Sequence, residues 1–396
     1  MRKYDVLVIG GGLVGCASAF YLARRGANVL LAEKNDINSL ASGQNAGSLH
    51  FQLEHRLIQQ GDALAEQFSR IIALNRMAVE QWTGLEAELG EPVGLAMKGG
   101  FMVAMTSDEV ALLKNKHSLE QSCGMDTQLL TAEETLQIAP YLNKKILAAA
   151  YLPQEGHANP RLVTPAYARA AAKQGVTLQS HCEVTYISRN RKGWQVRLGT
   201  GEKEEIEVDM ILNAAGAWAG QSALLAGIHL PVLPLALMMS VTEATPPFLP
   251  HLLQRAGAEL SLKQVNAGNI LIGGGWAARF KYNHGQPDLA RRPAIIMENV
   301  VQNLILAAEL VPEVARLHLL RCWTGIVGVI DDQLPLLGEV PGFPGYYVAT
   351  GGSGFTLGPL YARLISELMT TGGTSHDISP YNPGRFGQHN SSVAKA

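Results

Sequence analysis

Three glycines near the start of the chain are spaced as in a loop that binds a pyrophosphate. Gly10, Gly12 and Gly15 form a G-x-G-x-x-G pattern, and Glu33 follows it downstream. In such a loop the first glycine permits a tight turn, the second lets backbone amides approach phosphate, and the third lets helix and strand pack closely. A downstream acid can accept hydrogen bonds from ribose hydroxyls. The spacing therefore predicts a dinucleotide site.

A strand, a helix and a second strand must position this loop. Residues 4–9 are predicted to form a buried strand, residues 16–25 have helical spacing, and residues 28–32 form a second strand that ends at Glu33. The N-terminus of the helix would face the phosphate charge. A G-x-G-x-x-G pattern alone is weak evidence, but this order of elements favours a binding loop over an ordinary turn.

Length and composition limit the class of protein. The chain has 396 residues, of which 47% are hydrophobic and 17% charged, and its net charge is −2. These values predict a globular enzyme of two domains without a nucleic-acid surface. No apolar run approaches the roughly 18 residues of a membrane span, and the early strand leaves no room for a secretory signal. Four scattered cysteines without a C-x-x-C pair predict no metal site, no disulfide framework and a cytoplasmic location.

A second glycine loop lies near the other end of the chain. Residues 346–350 are predicted to be a strand that runs into the sequence Gly-Gly-Ser-Gly at 351–354, and a helix follows to about residue 368. If both loops serve one cofactor, the nucleotide domain is discontinuous, and a second domain is inserted into it.

Several segments together resemble one family. They are the N-terminal motif with Glu33 and residues 42–47, 156–162, 211–218 and 346–359. On these the chain resembles FAD-dependent amine or amino-acid oxidoreductases of the D-amino-acid oxidase superfamily, such as glycine oxidase and sarcosine oxidase. Residues 45–50 are most similar to the smaller FAD-bearing subunits of opine or hydroxyproline dehydrogenase complexes.

The resemblance implies an α/β fold (α+β overall). A Rossmann-like FAD-binding domain would comprise residues 1–90, 145–225 and 320–372. Residues 91–144 and 226–319 would form an inserted substrate domain with an antiparallel sheet, and residues 373–396 a flexible tail.

The motif and the resemblance together imply a set of FAD-binding residues. The Leu13 and Val14 amides would face the pyrophosphate, Glu33 would hold the ribose, and the loop at 352–357 would reach the flavin. Cys322 is offset from the position at which some relatives attach their flavin, so non-covalent FAD is expected. The full set is Gly10, Gly12, Leu13, Val14, Gly15, Glu33, Lys34, Ser42, Asn45, Ala46, Gly47, Ser48, Val184, Ala215, Gly216, Gly352, Ser353, Gly354, Phe355, Thr356 and Leu357.

The substrate side departs from the family pattern. Relatives carry an arginine that binds the substrate carboxylate just after a W-x-G sequence, whereas Trp323-Thr324-Gly325 is followed here by Ile-Val-Gly. We therefore consider His50, Gln52 and Arg279 as substrate-facing residues. Each could instead be a structural or solvated polar group.

The resemblance implies oxidation of an amine of an amino-acid-like substrate to an imine, by hydride transfer to flavin N5. D-amino acids, N-substituted amino acids, hydroxyproline and opines are the candidate substrates. Electrons would pass to oxygen, a quinone or partner subunits of a hetero-oligomeric dehydrogenase. One alternative is a flavin-bearing subunit for electron relay or assembly within a multi-subunit complex. Another is an NAD-dependent dehydrogenase, although that enzyme would not need the second glycine loop.

Overall fold

The computed structural model describes residues 2–58, 65–199 and 204–387. Its strands are β1 (Arg2–Ile9), β2 (Val29–Ala32), β3 (Ser48–Leu49), β4 (Gly100–Ala104), β5 (Gln128–Thr131), β6 (Ala148–Leu152), β7 (Gly156–His157), β8 (Thr177–Gln179), β9 (Val184–Arg189), β10 (Trp194–Leu198), β11 (Glu204–Asn213), β12 (Leu233–Ala244), β13 (Leu252–Arg255), β14 (Ala258–Gln264), β15 (Asn269–Gly273), β16 (Tyr282–Asn283), β17 (Gln286–Pro287), β18 (Leu319–Val329), β19 (Leu336–Glu339) and β20 (Tyr346–Thr350). Its α-helices are α1 (Leu13–Arg24), α2 (Ala41–Gln44), α3 (His55–Ile58), α4 (Ala65–Thr83), α5 (Leu85–Leu89), α6 (Ser107–Ser122), α7 (Ala132–Ile138), α8 (Pro160–Lys173), α9 (Ala219–Leu224), α10 (Met297–Leu310) and α11 (Gly358–Thr371).

The first sheet has the order β19-β20-β11-β1-β2-β8, with β10 and β9 added beside β11. Strands β20, β11, β1, β2 and β8 run parallel. The side chains of Val6, Leu7 and Val8 in β1 are all fully buried, as expected for a parallel strand covered on both faces. Because β1, β11 and β20 are neighbours, the loops that follow them meet at one edge of the sheet. Both glycine loops are therefore at the same edge, and the predicted α/β class is confirmed.

The second sheet has the order β18-β12-β15-β14-β13-β4-β6-β5. Its pairs are antiparallel except β13 with β4, which is parallel. Strands β6 and β18 belong to this sheet, although the predicted boundaries put their residues in the FAD domain. Motif positions suggested those boundaries, and a motif does not reveal the partner of a neighbouring strand. The division into two domains stays a prediction.

Part of the predicted flexible tail is packed against the protein. The Tyr381 side chain is only 1% exposed, and its hydroxyl donates a hydrogen bond to the Arg70 carbonyl oxygen at 2.9 Å. Arg385 pairs with Asp332 at 2.7 Å. A buried aromatic and an ion pair thus hold part of a segment whose composition is otherwise polar, and the flexible tail as a whole stays a prediction. Residues 388–396 lie outside the described part of the chain.

Candidate active site

A cavity of about 1080 Å³ lies at the edge where the two glycine loops meet, and residues of both sheets line it. Most of the predicted FAD-binding residues line this cavity. They are Gly10, Gly12, Leu13, Val14, Glu33, Lys34, Ser42, Asn45, Ala46, Gly47, Ser48, Val184, Ala215, Gly216, Gly352, Ser353, Gly354, Phe355 and Thr356.

The first glycine loop leaves no room for side chains. Gly10 has φ +109°, and a Cβ there would lie 2.8 Å from the Ala214 carbonyl oxygen. A Cβ on Gly12 would lie 2.9 Å from Ser42 Oγ, beside the cavity. A Cβ on Gly15 would overlap the Gly10 carbonyl oxygen, so Gly15 packs helix against strand and does not line the cavity. The loop fits a pyrophosphate, since backbone can approach it at Gly12 without obstruction.

Polar groups beside this loop are held in fixed positions. The Glu33 side chain is 9% exposed, and its two carboxylate oxygens accept hydrogen bonds from the Gly11 and Asn35 amides, both at 2.7 Å. The Leu13 amide, which we expected to face the pyrophosphate, donates to Ser42 Oγ at 2.9 Å. Each carboxylate oxygen can accept a further hydrogen bond, so Glu33 can still receive ribose hydroxyls.

Lys34 and Trp218 form one wall near Glu33. The Lys34 ammonium lies 4.6 Å from the centroid of the Trp218 ring, a cation–π distance. Burial lowers the pKa of Lys34. Both residues line the cavity with Val184, so this end offers an aromatic face and a cation to a nucleoside.

Asn45 fixes the turn that follows α2. Its side-chain amide nitrogen donates to the carbonyl oxygens of Ala41 and Ser42, and its oxygen accepts from the Gly47 amide at 2.6 Å. Gly47 has φ +74°, and a Cβ there would overlap the Ala158 carbonyl oxygen. The Asn45 side chain therefore shapes the backbone that lines the cavity.

Two buried aromatic side chains hydrogen-bond to the backbone of the second glycine loop. The Tyr361 hydroxyl donates to the Gly352 carbonyl oxygen at 2.9 Å, and Trp82 Nε1 donates to the Thr356 carbonyl oxygen at 2.6 Å. Leu357 caps α11, is buried and does not line the cavity. The N-terminus of α11 follows directly, and its partial positive charge would favour negative charge on a bound group.

Strand β14 contributes polar residues that the sequence analysis missed. Lys263 is 1% exposed, and its ammonium donates to Ser48 Oγ at 2.6 Å. Burial lowers the pKa of Lys263 to about 7. Ser261 Oγ lies 3.1 Å from His50 Nε2, and both residues line the cavity. No motif marks these positions, since only the pairing of β14 brings them beside residues 48–50.

Gln52 is not in the cavity wall. Its side-chain nitrogen donates to Glu155 Oε2 at 2.9 Å and to the Gly100 carbonyl oxygen, and its oxygen accepts from Lys116 Nζ at 2.9 Å. Lys116 in turn pairs with Glu120 at 2.7 Å. The structure thus places Gln52 in a buried polar cluster, which corrects its assignment as a substrate-facing residue.

Arg279 is also outside the cavity. Its side chain is exposed, and its backbone pairs with that of Ala294. Val327, in the segment where relatives carry arginine, does line the cavity. No arginine occurs among the described side chains of the lining.

Cys322 lies in β18, and its sulfur is 3.3 Å from Ser240 Oγ. It is not a cavity-lining residue, and non-covalent attachment of FAD stays a prediction. Across the described ranges no cluster of histidine, cysteine and acidic side chains could hold a metal. The helices in those same ranges are all too short or too polar to cross a membrane.

Comparisons with known proteins agree with this geometry. A family model described as FAD dependent oxidoreductase (DAO) matches residues 5–368. The chain is 29% identical to "Glycine oxidase" of Geobacillus kaustophilus over 96% of this chain and 97% of that protein. It is 24% identical to an opine oxidase subunit of Rhizobium meliloti over 98% of each. The crystal structure of L-proline dehydrogenase from P.horikoshii superposes with a TM-score of 0.85 at 26% identity, over 97% of this chain and 98% of that one.

Proposed function

Because the chain belongs to the DAO family of FAD-dependent oxidoreductases, we propose that it oxidises the amine of an amino-acid-like substrate to an imine. The carbon loses a hydride and the nitrogen a proton, and water then hydrolyses the imine to a carbonyl compound and an amine or ammonia. When bound, FAD supplies the acceptor for the two electrons.

The observation that carries this proposal is the continuity of the cavity. One end lies against the glycine loop and Glu33, and the other reaches the polar face of β14 in the second sheet at Ser261. A cofactor held by the first sheet would therefore meet a substrate held by the second. Positioning of this kind is the main contribution of a protein to flavin chemistry.

The relatives support an amine substrate. Their names refer to glycine, an opine and L-proline, and each is an oxidase or a dehydrogenase. These names do not favour the alternative of a subunit that only relays electrons. The DAO family match also removes the NAD-dependent alternative.

We further propose a partner subunit and a cytoplasmic location. The first rests on full-length similarity to a protein named as a subunit, and the second on four cysteines that are all unpaired. Native purification from the source organism with mass spectrometry of co-purifying chains tests the partner. Cell fractionation tests the location.

Turnover with a redox dye, and separately with oxygen, tests the function itself. D-amino acids, N-alkyl amino acids, hydroxyproline isomers and opines should be screened, with the carbonyl product measured directly. The proposal predicts a carbonyl product from at least one of these compounds. Alcohol substrates of similar size are the matched control and should give none. Turnover of the alcohols alone would contradict the proposal.

A further inference from the structure

One buried amide in the cavity wall lacks a hydrogen-bond partner. The Gln254 side chain is 4% exposed and lines the cavity. Across the described ranges its Nε2 has no acceptor. A buried donor without a partner is unfavourable, so this position favours a ligand that brings an acceptor.

Gln254 shares its face of the sheet with other polar side chains. In the antiparallel pair β13–β14 it lies directly opposite Ser261, so the two side chains share one face. Ser261 is hydrogen-bonded to His50, and Lys263 follows on the same face two residues later. The face therefore presents amide, hydroxyl and imidazole groups with a buried lysine behind them, and the exposed carboxylate of Glu259 lines the cavity on the same strand. The amide, hydroxyl and imidazole groups can donate several hydrogen bonds to an anion.

Further along the same sheet, at β12 and β18, the cavity lining is apolar. Leu235, Leu237 and Val327 line the cavity there, on these paired strands. The arginine of the family pattern is missing on this side. A carboxylate placed there would lose its water without gaining hydrogen bonds, whereas an alkyl group would be favoured.

We infer that the β13–β14 face receives the substrate carboxylate through Gln254 and Ser261, while the apolar wall receives an alkyl substituent of the substrate. This inference rests on the proposed function and names its substrate class: amino acids with an apolar group on the amine or the α-carbon. Gln254 is thus a specificity-determining residue, and Ser261 with His50 completes the anion-binding face.

Pentanoate, which has a carboxylate and a short alkyl chain, is the probe, and pentanamide is its neutral control. Both are titrated calorimetrically into the FAD-loaded protein. Gln254→Met keeps the length of the side chain but removes its donor, so it should weaken pentanoate binding about tenfold or more. Gln254→Glu adds a negative charge and should weaken it further. Pentanamide affinity should fall less than pentanoate affinity in Gln254→Met, because a hydrogen bond to a neutral carbonyl contributes less than one to a carboxylate.

Arg279→Ala is the matched control, because Arg279 is polar but exposed outside the cavity. It should leave pentanoate affinity unchanged. FAD content and melting temperature are recorded for each variant. If Gln254→Met does not retain FAD, Ser261→Ala is used to test the inference instead. Its pentanoate affinity should be about threefold or more weaker than that of the unmodified protein.

An unchanged pentanoate affinity in Gln254→Met with full FAD content would overturn the inference, and so would absence of pentanoate binding to the unmodified protein. An unchanged affinity would mean that water, and not the ligand, accepts the hydrogen bond of the Gln254 amide. Gln254-dependent pentanoate binding without turnover of any amine would leave the anion-binding face intact and contradict the proposed function instead. The two failures are therefore distinguishable.

Discussion

Replacing Lys116 with methionine should strongly destabilise the protein. The Lys116 and Glu120 side chains are both fully buried, and their charged atoms lie 2.7 Å apart. Lys116 also donates to Gln52 Oε1, while Glu120 accepts from the Leu53 amide at 2.7 Å and from Thr127. The pair therefore holds residues 52 and 53, which follow the cavity-lining Ser48 and His50.

The magnitude follows from the burial of both charges. Lys116→Met leaves the Glu120 carboxylate without its cation, and removing one partner of a buried pair costs about 3–5 kcal/mol. The total stability of a protein is typically about 5–15 kcal/mol, so the loss should be a large fraction of the whole. Lys114→Met is the matched control, since Lys114 lies exposed on the same helix. It should change the free energy of unfolding by less than about 0.5 kcal/mol.

Urea unfolding followed by tryptophan fluorescence measures both variants, with FAD content as a second reading. Adding Glu120→Gln to Lys116→Met removes the uncompensated charge and should recover part of the loss. A loss below about 1 kcal/mol in Lys116→Met, or one equal to that of Lys114→Met, would refute the reasoning about this cluster.

Two further predictions concern the cofactor, and a third concerns stability at low pH. Gly12→Val should yield protein without FAD, because the valine side chain would fill the space beside Ser42. Gly373→Val, at a position in open space, is the control and should bind FAD normally. A yellow Gly12→Val protein with full FAD content would contradict the assignment of this loop. Acid precipitation should release all flavin to the supernatant, and colour that stays in the pellet but is lost in Cys322→Ser would show covalent attachment instead. Burial, with Lys263 and Lys98 nearby, lowers the pKa of His157 to about 4, below its ordinary value of 6.5, so the stability contributed by the neutral imidazole should be lost as the pH falls from 6.5 towards 4. In urea unfolding at stepped pH, His157→Asn should lose less stability over that range than the unmodified protein. An identical loss in both proteins would show that His157 does not cause the pH dependence.

Local motifs predicted the strand, glycine loop and helix that lie beside the cavity. The strand, glycine loop and helix around Gly12 are contiguous in sequence, so their geometry follows from short-range rules. The capping box of Thr131 and Glu134 at the start of α7 is likewise formed by residues close in sequence. The position of Gly15 behind the cavity agrees with the packing function that the spacing implied.

The substrate half could not be predicted in the same way. Gln254 and Ser261 face the cavity only because β13 pairs with β14, and no local pattern specifies that pairing. Gln52 is two residues from His50, yet its side chain points into a buried ionic cluster that includes Lys116, which is distant in sequence. Arg279 carries a suitable charge and follows a predicted strand end, but its exposure depends on how the second sheet folds around it.

The most direct test of the whole account is anaerobic reduction of the FAD-loaded protein by amines. With oxygen excluded, an amino-acid-like amine from the panel should bleach the visible flavin absorption, with one carbonyl product formed for each FAD reduced. Dithionite is the control that shows the flavin can be reduced. Bleaching by dithionite but by none of the amines would contradict the claim that this cavity oxidises an amino-acid-like amine.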